Sequence, residues 1–161
     1  MYEYLNKFKS RSGDEKYGNS FYLLEESEVM DAEKYLGYLF PSELKQFYKE
    51  IGYGYLTNPK AFNDSYSFSG TNRINSPHMI IDMLQNGAES GLISPSVHED
   101  LEPGDLPVFE IADSSSFMIM KALSDNPNAV WYMGSEKIED SFARFIYRLY
   151  HESPTYYADN W

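Results

Sequence analysis

Cysteine is absent from the 161 residues. That excludes a disulfide scaffold, a thiolate nucleophile and any Cys-ligated zinc site, and it suits a reducing compartment. Cations are scarce, with 13 Lys and Arg against 25 Asp and Glu and a formal net charge of −12. Between residues 74 and 120 they vanish, in a window that holds Asp82, Glu89, Glu99, Asp100, Glu102, Asp105, Glu110 and Asp113. Non-specific binding to nucleic acid needs clustered Lys and Arg against phosphates, so nucleic acid is not expected as a partner. No run of eighteen apolar residues occurs, which leaves no candidate for a membrane-spanning helix. Residues 1–9 contain nothing like the apolar core of a signal peptide. The expectation is a soluble cytoplasmic protein.

Motifs for catalysis are equally thin. There is no Walker loop and no dinucleotide fingerprint. Ser114-Ser115-Ser116 beside Asp113 lacks the flanking glycines of a nucleophile elbow and reads as a hairpin turn. His98-Glu99-Asp100 puts an imidazole beside two carboxylates, but adjacency on a loop does not make an acid–base pair. His78 and Asp82, four apart on an expected helix, offer two ligands that His98 or His151 would have to complete. No enzyme, metal or cofactor is inferred.

Apolar residues make up 42% and aromatic residues 17%, with fifteen Tyr and ten Phe. A chain of this length forms one domain and buries about 70% of the surface that it exposes when unfolded. Residues 1–20 read as an N-terminal arm, with Lys7, Lys9, Arg11 and Lys16 around small polar residues. Residues 21–153 read as the domain and 154–161 as a tail. Phe21 to Leu24 leads into an acidic helix capped by Glu25 or Ser27, with Glu25, Glu26, Glu28 and Asp31 near its start, where the helix dipole favours them. Val29, Ala32, Tyr35, Leu36 and Leu39 form its expected buried stripe and Gly37 its exit. Pro41 suits the start of a second helix, whose inner face is Leu44, Phe47, Tyr48 and Ile51 and which Gly52 ends.

Short strands are expected from there, at residues 53–57 and 66–69, with turns at Asn58-Pro59 and Asn63-Asp64. A third helix runs from His78 to Gln85, and a long loop with room for a short helix follows. Strands at 106–112, 116–121 and 129–133 are joined too briefly to be anything but antiparallel. A last helix, about 138–151, turns Phe142, Phe145, Ile146 and Leu149 inward. The fold class is α+β, with helices packed on a twisted, mainly antiparallel sheet.

The order helix, Leu36-Gly37-Tyr38-Leu39-Phe40-Pro41, helix, Ile51-Gly52-Tyr53-Gly54 resembles the N-terminal signature of the SUKH superfamily, the Smi/Knr-type domain. Leu36-Gly37, Phe40-Pro41, Leu44, Phe47 and Gly52 or Gly54 carry the likeness. The hairpin at 106–120 and the Phe142-Phe145-Ile146 helix extend it over about residues 24–150. Phe40 replaces the usual Leu before Pro41, and the turn Asp113-Ser114-Ser115-Ser116 lacks the usual Gly. The resemblance implies an immunity protein that binds and neutralises a cognate toxin, often a nuclease, as bacterial members do. A fungal branch implies instead a regulatory or scaffolding domain in cell-wall or signalling assemblies.

The acidic window has two readings, a solvated face that aids solubility or a face that attracts a basic partner. In the second, Asp82, Glu99, Asp100, Glu102 and Asp105 meet the basic surface of a toxin, and Tyr53 and Tyr55 anchor the contact as aromatics do at interfaces. The protein itself is expected as a monomer or weak homo-oligomer.

Overall fold

The computed structural model describes residues 1–9, 19–57, 72–111, 115–153 and 155–158. Among the described residues, seven strands form one sheet whose order in space is their order in sequence: β1 (Ser20–Tyr22), β2 (Tyr53–Leu56), β3 (Asn72–Ile74), β4 (Asp105–Glu110), β5 (Phe117–Lys121), β6 (Val130–Tyr132) and β7 (Glu136–Glu139). Every neighbouring pair is antiparallel. Helices α1 (Glu26–Leu36) and α2 (Ser42–Glu50) lie between β1 and β2 in the chain, α3 (Pro77–Asn86) and α4 (Pro95–Glu99) between β3 and β4, and α5 (Phe142–His151) after β7. This is the α+β class expected from the sequence.

Helix α2 follows its periodicity. Pro41 stands at the N-cap, and Leu44, Phe47, Tyr48 and Ile51 are all buried. Gly52 then takes φ 103°, and a Cβ there would stand 1.9 Å from the Tyr22 carbonyl oxygen. At Gly54 the nearest atom to a Cβ would be the Ser20 carbonyl oxygen, at 2.2 Å. Without side chains at these two positions, β1 can lie against β2.

The core on the α2 and α5 side is a chain of rings. Phe47 meets Tyr2 at 4.8 Å, Phe21 at 5.9 Å and Phe142 at 5.7 Å, and Phe145 meets Phe109 at 5.1 Å. Each fully buried ring contributes about 1.5–3 kcal/mol by leaving water. In β4 and β5, consecutive residues from Leu106 to Phe109 and from Phe117 to Met120 are buried. Successive strand residues point to opposite faces, so both faces of the sheet's centre are covered.

The ends of the chain contribute to this core. A 3-10 helix, Glu3–Phe8, buries Leu5 and Phe8, and Tyr2 just before it is buried too. The Tyr2 N–H donates to the Glu50 carboxylate at 2.9 Å. Beyond α5, Tyr156 and Tyr157 are buried, and the Arg148 guanidinium lies 3.9 Å from the centre of the Tyr156 ring.

Several local expectations need correction. Ser20–Tyr22 is a strand rather than the lead-in to a helix, and β3 and β7 were not expected. Ile138 belongs to β7, and α5 starts only at Phe142, where the Ser141 hydroxyl accepts the Arg144 N–H at 3.2 Å. The stripe of α1 is narrower than its spacing suggested. Ala32 is buried and Val29 and Leu36 are half-buried, but Tyr35 is 57% and Leu39 66% exposed. Helix α1 ends at Leu36, so Leu39 lies past the last turn and off the packed face. The expected strand at 66–69, the turns at 58–59 and 63–64, Asp113-Ser114 and the basic residues Arg11 and Lys16 lie outside the described residues.

Candidate protein-binding site

Helix α1 is held by local chemistry at both ends. The Glu25 N–H donates to the Glu28 carboxylate at 3.0 Å, and Glu26 and Glu28 lie in the first turn, where the dipole favours them. Gly37, at φ 80°, donates its N–H to the Glu33 carbonyl at 2.9 Å. The Glu33 side chain turns inward, accepts the Phe40 N–H at 2.8 Å and pairs with Lys45 at 3.1 Å. That fixes α1 to the beginning of α2.

Helix α1 packs on α3. Helix α3 starts at Pro77 with the Ser76 hydroxyl accepting the Met79 N–H at 3.2 Å. Helix α4 repeats the device, with Ser94 accepting the Val97 N–H at 3.4 Å. His98 brings α4 onto α3 through its Nε2, 3.3 Å from the Leu84 carbonyl oxygen. The three helices therefore make one continuous side of the molecule.

That side is acidic. Glu25, Glu26, Glu28 and Asp31 of α1 are exposed, as are Glu99 and Asp100 at the end of α4. Glu26, Asp31, Glu99 and Asp100 form no ion pair among the described residues. Asp82 is half-buried on α3 and accepts a hydrogen bond from Asn86. Glu102 is largely exposed and lies 3.5 Å from Lys121. Asp105 is different. It is the first residue of β4, directly opposite Lys121 of β5, and it is buried. Its carboxylate lies 3.5 Å from the Lys121 ammonium and accepts the Glu102 N–H at 3.1 Å. Expected as a surface contact, Asp105 is an interior charge already compensated. Burial, with the nearby Asp105 carboxylate adding to it, pushes the Tyr38 phenol up.

The two tyrosines separate. Tyr53 is half-buried with its ring 5.6 Å from that of Tyr22, its cross-strand neighbour, at the sheet end from which the chain leaves for α1. β2 and β4 run in the same direction, and through Ile74 of β3 Gly54 is level with Phe109, so Tyr53 is level with Val108, three residues into β4 from Asp105. Tyr55 is half-buried two residues further along, opposite Arg73, whose partner is Glu110. Glu99 and Asp100 thus end the helix that His98 ties to the α3 of Asp82, Glu102 lies against Lys121 of β5, Tyr53 sits beside Tyr22, and Tyr55 lies opposite Arg73.

Sequence reasoning missed the contribution of α1. Its acids were accounted for by the helix dipole, and only the packing of α1 on α3 joins them to the acidic window. Met30 is 62% exposed. It was legible as an apolar residue off the Val29, Ala32 and Leu36 stripe.

A family model described as SUKH_6, SMI1-KNR4 cell-wall, matches residues 26–146. The chain belongs to the SUKH family. Among curated proteins, the "Immunity protein YxxD" of Bacillus subtilis (strain 168) is 30% identical over 142 residues, covering 88% of this chain and 89% of that protein. No solved structure matches. The SUKH match runs from the start of α1 through β7 and takes in the first half of α5, leaving β1 outside it.

Other chemistry finds little support in the arrangement. His78 is exposed on α3, His98 faces the α3 backbone, and His151 packs among Tyr4, Tyr147 and Tyr150 on the far element α5. Among the described residues no group of three His, Asp or Glu side chains is arranged to hold a metal ion. Among them, too, no helix is long and apolar enough to cross a membrane.

Proposed function

We propose that this SUKH protein is an immunity protein that binds and neutralises a cognate toxin, a nuclease domain with a basic active surface. The observation that carries the reading is the likeness to a named immunity protein over nearly the whole of both chains. The acidic side formed by α1, α3 and α4 supports it physically. A nuclease site is built to hold phosphates, and a compact acidic protein can be steered to such a surface, with association faster by orders of magnitude at low salt. The contact comprises Glu26, Asp31, Asp82, Glu99, Asp100 and Glu102, with Tyr53 at its margin. The protein acts by occupying the toxin, without catalysis, cofactor, nucleic acid or membrane, as a cytoplasmic monomer or weak homo-oligomer.

The test is co-expression with the toxin domain encoded in the neighbouring reading frame. A tight one-to-one complex and rescue of growth are expected. Absence of both would refute the reading. The cell-wall wording of the family model motivates a second reading, a regulatory or scaffolding domain. That alternative predicts several weaker partners and no rescue.

A further inference from the structure

A groove runs between α1 and α2. Leu24, Val29, Met30 and Tyr48 give it an apolar lining, and its volume is about 260 Å³. Glu25 and Glu26 stand on the α1 rim and Lys49 on the α2 rim, while the Glu33–Lys45 ion pair bridges the two walls. Sites for small molecules occupy about 300–1,000 Å³. This groove is smaller and suits one side chain better than a cofactor. Met30 also forms a wall of the neighbouring hollow around Gly37, Tyr38 and Leu39. An exposed methionine is a polarizable, adaptable contact residue, enriched at interfaces over the rest of a protein surface.

We propose that this groove is the anchor pocket for one bulky apolar side chain carried on a basic segment of a partner protein. Charge selects that occupant. The groove's walls carry three carboxylates, Glu25, Glu26 and Glu33, against two lysines, Lys45 and Lys49, and with Glu33 and Lys45 paired to each other the α1 rim keeps Glu25 and Glu26 exposed. A second copy of this chain would set the same carboxylates against each other, and like charges in juxtaposition are costly. A basic segment pairs its cations with α1 and places its apolar side chain against Val29, Met30 and Tyr48. The idea deepens the immunity reading and rests on it only for which protein bears the segment.

The experiment has two arms. In the first, a catalytically inactive form of the neighbouring toxin domain is bound by the wild-type chain, Met30→Ser and Met30→Leu. The Ser variant is expected to lose about tenfold in affinity, chiefly through faster dissociation. The Leu variant keeps its affinity, and both melt like the wild type. In the second arm, a short lysine-rich peptide with one central leucine is compared with its alanine counterpart by methyl NMR. Only the leucine peptide is expected to shift the Met30 and Val29 methyl signals, and added salt should weaken it. Unchanged toxin binding by Met30→Ser, or equal responses to the two peptides, would overturn the groove assignment. Failure of the wild-type chain to bind the toxin sinks the immunity reading instead, and the peptide arm still decides the groove.

Discussion

Glu43 and Glu26 are both helix-borne carboxylates near a helix start, one on α2 and the other on α1, and their surroundings differ. The Glu43 carboxylate accepts the Ser141 hydroxyl and the Ala143 N–H, each at 2.8 Å, and so holds the first turn of α5 from across the domain. Glu139 is treated likewise, buried and paired with Arg148 at 2.7 Å and Arg144 at 3.3 Å. Glu26 faces water, as do Asp31, Glu99 and Asp100. The α2–α5 half uses its charges to close the domain. The α1–α3–α4 half leaves Glu26, Asp31, Glu99 and Asp100 without an ion pair among the described residues, alongside Met30, Tyr35 and Leu39, which the core did not take. Paired inward charge marks the scaffold, and the proposed contact falls where unpaired charge stands beside exposed apolar surface.

The strongest way to break this division is Phe47→Ala. It removes the ring that joins Tyr2, Phe21 and Phe142, and an expected loss of about 3–5 kcal/mol should appear in urea unfolding. A loss below about 1 kcal/mol would deny the α2–α5 half its structural role. Glu43→Ala comes next. It leaves the Ser141 hydroxyl and the Ala143 N–H without their acceptor, at an expected cost of about 1–3 kcal/mol by the same measurement.

Acid sharpens the comparison through Glu50. Its desolvation opposes ionisation, but hydrogen bonds from Gln46 and the Tyr2 N–H, with the N-terminal ammonium, outweigh that and lower its pKa from 4.5 to about 2. The folded value lies below the ordinary one, so the contribution is complete above about pH 4.5 and is lost as pH falls toward about 2. Melting temperature followed over that range should fall less steeply for Glu50→Gln than for the wild type. The smallest effect on stability belongs to the other half. Combined Glu26→Gln, Asp31→Asn, Glu99→Gln and Asp100→Asn should each change stability by no more than about 0.5 kcal/mol. The same set should slow association with the toxin domain about tenfold at low salt in stopped-flow mixing. An association rate equal to that of the wild type would remove the steering role of this side.

Much of the scaffold is legible in the chain because its signals are long or doubled. Helix α2 has four apolar residues at helical spacing between a proline and a glycine, and β4 and β5 are continuous apolar runs. Strands β1, β3 and β7 are Ser-Phe-Tyr, Asn-Arg-Ile and Glu-Lys-Ile-Glu. Three or four residues are too few to show a period of two, and neighbouring strands decide their state. The acidic window was visible as a count, but its division was not. Asp105 turns inward because the register sets Lys121 opposite it, a pairing fixed only when β4 meets β5. Tyr35 and Leu39 remained exposed for a related reason, since a periodic stripe tells which residues could pack and not how wide a face the neighbouring helix covers.

The unbroken order of the seven strands has a kinetic consequence. Each strand pairs with the one made just before it, and the β4–β5, β5–β6 and β6–β7 hairpins are local pairings of the kind that favours rapid folding. The β1–β2 and β3–β4 pairs, by contrast, close over 31–37 residues. Helix α5 closes over a longer span still, because Glu43 must wait for Ser141 and Ala143, 98 and 100 residues later. A nascent chain can therefore assemble its meander strand by strand during synthesis, while the seal between α2 and α5 forms only after the last helix has been made.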